Sequence, residues 1–268
     1  MTNTLKHMLI LMTLLLCLMG AKAQQPSTPV VIEQTAQSMA VDPQGNIYAV
    51  NDATLYKYAP DGTLLYTYND NMLGHISSID VDNPLKIMLF YHDAGFIIFL
   101  NDKLSPIGDK VNLFSKGLTS IGLATYSTRN ELILYDESNT DLILLDFYFR
   151  EKERIHYDFT DFQPIQLTNV NEKINVMQDP RQGVFFFDNF GTFDKNIAIT
   201  SELPVQIVKD HILYVKDNQL NRYNYQRLER QQLCEIPEEV VQVLVYQDKI
   251  ILLDDKSIKI IQQNKNQK

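Results

Sequence analysis

The feature that most constrains this chain is a motif met six times. An apolar strand is followed by a polar turn holding Asp or Asn, and then by a second strand. "NIYAVNDATLYKYAPDG" (46–62) lies over "KIMLFYHDAGFIIFLNDK" (86–103) and "ELILYDESNTDLILLDFYF" (131–149). After these come "GVFFFDNFGTFDKNIAI" (183–199), "HILYVKDNQLNRYNYQR" (211–227) and "KIILLDDKSIKIIQQ" (249–263). A single hairpin of this kind leaves the fold open. Six in series do not, because each unit is too small to bury its own apolar surface and must stack on its neighbours. Apolar residues at helical spacing are not sustained for three turns anywhere in the repeat region, so the chain reads as all-β.

Each pair is preceded by another short apolar strand: "SMAVD" (38–42), "ISSIDV" (76–81), "TSIGLATY" (119–126), "PIQLTNV" (164–170), "PVQIV" (204–208) and "EVVQVLVY" (239–246). Successive units therefore begin 35 to 45 residues apart, near 38, 76, 119, 164, 204 and 239. Five units carry a more polar fourth strand: "LLYTY", "SPIGDKVNL", "ERIHYDF", a piece near Ile197 to Thr200, and "RQQLCEI". Four-stranded antiparallel units at this period are the signature of a β-propeller, here six-bladed. The sixth unit stops after its third strand at "KIIQQNKNQK", which leaves an open edge that invites pairing with other chains. The spare segment "TPVVIEQ" (28–34) is expected to supply the missing outer strand and close the ring.

The stretch "VDPQGNIYAVNDATLYKYAPDG" resembles the NHL-type repeat of six-bladed propellers of the NHL/TolB-like type. The matching positions are Val41-Asp42, Gly45-Asn46-Ile47-Tyr48, Asn51, Leu55, Tyr58 and Asp61-Gly62. The resemblance implies the fold and carries no function, because function belongs to the site rather than the scaffold.

Residues 1–23 read as a secretory signal peptide: Lys6 and His7, an apolar run from Met8 to Met19, and a small-x-small end at Ala21-Lys22-Ala23. The run is too short to span a bilayer comfortably. Cys17 follows Leu14-Leu15-Leu16, whereas a lipoprotein signal carries a small residue just before its cysteine. The mature chain is expected to start at Gln24 as one domain (24–268) with no further apolar span. It then keeps Cys234 alone, so no intramolecular disulfide is available, and it contains no Asn-x-Ser/Thr acceptor. Cys234, between Leu233 and Ile236, reads as a buried structural thiol. A formal charge of −9 argues against nucleic acid or an anionic membrane as partner.

Candidate chemistry sits in the turns. The turns assigned between second and third strands hold Asn51 and Asp52, His92 and Asp93, Asp136 and Glu137, Asp188 and Asn189, Asp217 and Asn218, and Asp254 and Asp255. His75, at the start of the second unit, is expected on the same face as His92 and Asp93. Oxygen-rich sets suit Ca, and His with carboxylate suits Zn. Turn chemistry explains the Asp and Asn residues equally, since both tolerate left-handed backbone and bond to nearby amides. His156 falls in an outer strand and His211 opens a second strand on the opposite face, so no third imidazole joins the pair. Calcium-dependent lactonases and zinc lyases on six-bladed propellers are similar in outline and take ligands from inner strands. The residues offered there are Asp42, Asp80, Asn169 and Gln206, which match neither pattern. No Ser-His-Asp order and no glycine-rich phosphate loop is present. Phe190 and Phe193, flanking Gly191 in a turn, are candidates for contact with another protein. The favoured expectation is an exported, non-catalytic protein-binding or scaffold module of the bacterial envelope, periplasmic or at the cell surface. It would need no cofactor, and its partner would be another envelope protein. The alternative is a Ca- or Zn-dependent hydrolase or lyase working at the channel mouth through His75, His92 and Asp93.

Overall fold

The computed structural model describes residues 29–127, 129–170 and 174–263. The signal-peptide reading, with Cys17, lies outside the described residues. Among the described residues the chain forms six sheets of four antiparallel strands each. β1 (Val30–Ile32) is followed by blade one, β2 (Ser38–Val41), β3 (Ile47–Asn51), β4 (Thr54–Tyr58) and β5 (Leu64–Asn69). Blade two is β6 (Ser78–Asp80), β7 (Ile87–Tyr91), β8 (Phe96–Leu100) and β9 (Val111–Asn112), followed by a 3-10 turn at Phe114–Lys116. Blade three is β10 (Ile121–Tyr126), β11 (Leu132–Asp136), β12 (Asp141–Leu145) and β13 (Glu151–His156). Blade four is β14 (Gln166–Val170), β15 (Ile174–Asp179), β16 (Gly183–Asp188) and β17 (Phe193–Ile197). Blade five is β18 (Gln206–Val208), β19 (His211–Lys216), β20 (Gln219–Asn224) and β21 (Glu229–Glu235). Blade six is β22 (Gln242–Tyr246), β23 (Lys249–Leu253) and β24 (Ile258–Gln262), with β1 as its fourth strand. Val30 pairs with Ile260 and Ile32 with Ile258, so the N-terminal strand closes the last blade.

Middle strands are buried on both sides, which explains why they read as continuous apolar runs rather than alternating ones. Every residue of β7 and of β12 is buried. Alternation survives as a choice of neighbour. In β3, Tyr48 and Val50 enter the cluster shared with blade two, while Ile47 and Ala49 enter the one shared with blade six. The core is thus six inter-blade clusters, and each blade is stabilised from both flanks.

The ring has two ends. Turns between second and third strands, with the loops linking blades, form an upper face; turns between first and second, and between third and fourth, form a lower face. One five-residue turn recurs on the lower face. In residues 42–46, Asp42 Oδ1 accepts the amides of Gln44 and Asn46, and Gly45 sits at φ 86°. A Cβ at Gly45 would also fall 2.6 Å from the ring of Tyr246, so glycine is required twice over. The same turn closes β8 and β9 around Asn101, β12 and β13 around Asp146, and β16 and β17 around Asp188. At the fourth position stand Leu104, Phe149 and Gly191, all with positive φ. The acidic or amide side chain that opens the turn holds the left-handed residue in place.

Neighbouring blades are latched through these turns. Lys249 Nζ donates to the Pro60 carbonyl (3.0 Å), Lys57 Nζ to Asp102 (2.8 Å) and Arg129 Nη2 to Asn189 (3.2 Å). Lys86 Nζ lies 5.5 Å from the Phe147 ring centre. Each cation reaches the third-to-fourth turn of the next blade. Nearer the axis, Gln242 bonds both the amide and carbonyl of Met39 across the closure, and Gln206 does the same to Val245.

Blade four departs from the sequence alignment. "GVFFFD" is its third strand, not its second, and the outer strand is Phe193–Ile197 rather than a piece near Ile197 to Thr200. The true second strand, "INVMQD", carries Asn175, Gln178 and Asp179, which are buried. Asn175 donates to the Asp188 carbonyl, Gln178 donates to Ser201 and Leu203, and Asp179 caps the following turn. Polar side chains working inside a strand hide it from an apolar pattern. Asp188 and Asn189 consequently lie on the lower face, and the second-to-third turn of blade four is built around Pro180, Arg181 and Gln182.

Candidate functional site

On the upper face, blade two and the loop leading into it bring together the imidazoles singled out by sequence. His75 lies in the loop before β6 rather than in the strand, and its Nδ1 is 3.4 Å from Asp93 Oδ2. His92 Nδ1 is 3.0 Å from Asp93 Oδ1, and its Nε2 is 3.8 Å from Glu137 of blade three. The bond from His92 holds the Asp93 carboxyl below its ordinary range. Both imidazoles therefore turn the same ring nitrogen to one carboxylate. Among the described residues, no group of three or more His, Cys, Asp or Glu side chains is arranged to hold a metal ion.

Next to them, blade three neutralises its own charge. Asp141 takes Arg154 Nη1 at 3.2 Å and His156 Nδ1 at 3.0 Å. Asp136 accepts the amides of Ser138 and Asn139. The bond to Asp141 raises the His156 pKa. In blade six, Asp254 receives Lys259 Nζ at 2.8 Å and the amides of Lys256 and Ser257, which lower its pKa to about 2. The inner-strand residues are equally committed. Asp42 caps its turn and takes the Tyr48 hydroxyl, Asp80 takes Thr125 and the Tyr126 amide, and Asn169 donates to Asn175. Gln206, the fourth, is engaged by the Val245 backbone, so all four have hydrogen-bond partners within the fold. Cys234 is half-buried in β21, and burial pushes its thiol up.

Between blades four, five and six the upper face opens into a cavity of about 480 Å³. Its walls come from the linking loops at 200–203 and 236–240 and from the turn at 215–218. Sequence reading reached this region only through Asp217 and Asn218. The "SELP" and "IPEE" loops, which bring Glu202 and Glu238, carry no motif.

The lower face bears exposed aromatic side chains. In the turn of blade three, Phe147 and Tyr148 are 57% and 69% exposed; in the matching turn of blade four, Phe190 is 59% exposed. Tyr148 and Phe190 occupy the same third position of the same capped turn. Phe193 differs from Phe190: it is partly exposed, but its ring centre lies 5.3 Å from that of Phe159 and 5.8 Å from that of Phe187. The Tyr157 hydroxyl donates to the Gly191 carbonyl and braces the blade-four turn. Also on this face, Asp82 is exposed but crowded, and desolvation together with Asp80 pushes its carboxyl up to about 7.

No protein-family model matches the sequence, and no curated protein matches it. Solved structures do match in fold. The Pan2 WD40 domain of Neurospora crassa is 10% identical, with 86% of this chain and 90% of that one covered at a TM-score of 0.62. A catalytically inactive virginiamycin B lyase from Staphylococcus aureus, solved with quinupristin, is 9% identical, with 88% and 100% covered at 0.63. The fold, among the described residues, is a six-bladed β-propeller. PorZ, a bacterial surface component of the type-IX secretion system of Porphyromonas gingivalis, is 10% identical at a TM-score of 0.52. Here 89% of this chain is covered and 38% of that one. Identities this low carry the architecture and no chemistry.

Proposed function

We propose that the protein is an exported, non-catalytic binding or scaffold propeller of the bacterial envelope that grips another protein through the lower-face turns of blades three and four. The observation that carries this reading is the pair Tyr148 and Phe190. Two adjacent blades present a large exposed aromatic from the same position of the same rigid turn. An aromatic on a preorganised turn costs little conformational entropy on binding, and such residues dominate interface energetics. The signal-peptide pattern supports export, and a lone cysteine is compatible with it because a domain of this size can rely on its core. Phe193 contributes by supporting the blade-four turn from behind.

The test is quantitative cross-linking in the native envelope, comparing the natural chain with a Tyr148→Ser/Phe190→Ser variant. Loss of one stoichiometric cross-linked protein at unchanged Tm supports the reading. An unchanged cross-link pattern would overturn it. The rival, a metal-dependent hydrolase or lyase, is favoured by one observation: His75, His92 and Asp93 do meet in space. Elemental analysis and a melting curve with EDTA separate the two. Stoichiometric Ca or Zn whose removal lowers Tm would favour the rival.

A further inference from the structure

The cavity on the upper face differs from its surroundings in how it treats charge. Its floor is apolar, with Leu203, Val215, Ile236 and Val240 half-buried or buried, and Ile236 and Val240 belong to the cluster between blades five and six. Its rim carries the exposed carboxylates of Glu202, Asp217 and Glu238 against one ammonium, Lys216. Among the described residues none of these four enters an ion pair; Glu238 alone has a side-chain partner, the Asn218 amide at 3.3 Å. The volume is in the range of pockets that take a peptide side chain or a small ligand.

We propose that this cavity docks a basic segment of a partner protein, a lysine or arginine flanked by apolar residues. The occupant follows from complementarity. An aliphatic stem covers the apolar floor while its cationic head meets carboxylates that the protein leaves without a counter-ion. A negatively charged or purely apolar segment would leave those carboxylates desolvated and unpaired. This site lies on the face opposite Tyr148 and Phe190 and is independent of that contact. Occupied together, the two let one propeller bridge two proteins.

The probe is the peptide acetyl-(Arg-Leu)₃-amide, titrated calorimetrically into the purified mature chain, with (citrulline-Leu)₃ and (Glu-Leu)₃ as controls. Saturable binding of the arginine peptide alone is expected. It should weaken about ten-fold or more in Glu202→Gln/Glu238→Gln, strengthen in Lys216→Gln and fall with added salt. Tyr148→Ser should leave it unchanged, which separates this proposal from the lower-face reading. Absence of binding to the natural chain overturns the proposal, as does equal binding to the double variant at equal Tm. A dimer that the double variant dissociates would assign the cavity to a second copy and overturn it as well.

Discussion

Two sectors of the same upper face handle charge in opposite ways. In blade three, Asp136 and Asp141 are buried and saturated by Arg154, His156 and the turn amides. At the junction of blades four to six, Glu202, Asp217 and Lys216 have no ion-pair partner among the described residues around an open cavity. Both sectors are made of the same parts, a second-to-third turn and a linking loop. The contrast teaches that an acidic turn in a repeat is not itself evidence of a site. What marks a site is an acidic turn that the fold has left unanswered.

The comparison presupposes a closed ring, and the most damaging change is to open it. Deleting residues 24–35 removes β1, exposing the edge of β24 and the face of Ile258 and Ile260. Aggregation, or a Tm lower by about 10 °C or more, is expected by scanning calorimetry. An unchanged Tm would show that closure does not depend on β1.

Within the ring, Asp136→Ala should cost about 1–2 kcal/mol in urea unfolding, because two turn amides lose their acceptor. Glu202→Ala, across the face, should stay within about 0.5 kcal/mol, because its side chain makes no hydrogen bond or ion pair among the described residues. Equal effects would erase the distinction between the sectors.

Titration sharpens the contrast further. Asp141 raises the His156 pKa, so its stabilisation is complete below the ordinary histidine value of about 6.5 and is lost as pH rises through the higher folded value. His156→Gln should lower Tm near pH 5 and have little effect near pH 9. Asp254 behaves in the opposite sense. Its pKa is depressed to about 2, so its contribution holds above the ordinary carboxylate range and fades as pH falls toward 2. Acid melting curves of Asp254→Asn should therefore meet those of the natural chain near pH 2.

The smallest expected effect lies at Asp82. Its folded pKa of about 7 exceeds the unfolded value, so stability declines as pH rises from about 4 to 7. Asp82→Asn, which cannot ionise, should raise Tm slightly at pH 8 and leave it unaltered at pH 4. A lower Tm at pH 8 would mean that the carboxylate is stabilised rather than crowded.

Asp42 and Gly45 stand out in the sequence through the repeat resemblance, and the structure gives the local reason: Asp42 accepts the turn amides and Gly45 adopts positive φ. The register of blade four was not legible, because Asn175, Gln178 and Asp179 spend their polar groups on other segments from inside a strand. His75, His92 and Asp93 could be placed together from topology alone, whereas their mutual saturation could not. The lower-face pair was half visible: Phe190 was singled out, but its partner Tyr148 was passed over because "DFYF" looked like strand.

By itself the sequence determined the number of blades, the order of strands in every blade but the fourth, and the need for the N-terminal segment to complete the ring. Those follow from period, alternation and turn chemistry, which are local. Only the tertiary structure decided which charges are spent and which stay free. Glu202, Asp217 and Glu238 come from two linking loops and a turn of different units, and their lack of a counter-ion among the described residues is a property of the space between blades.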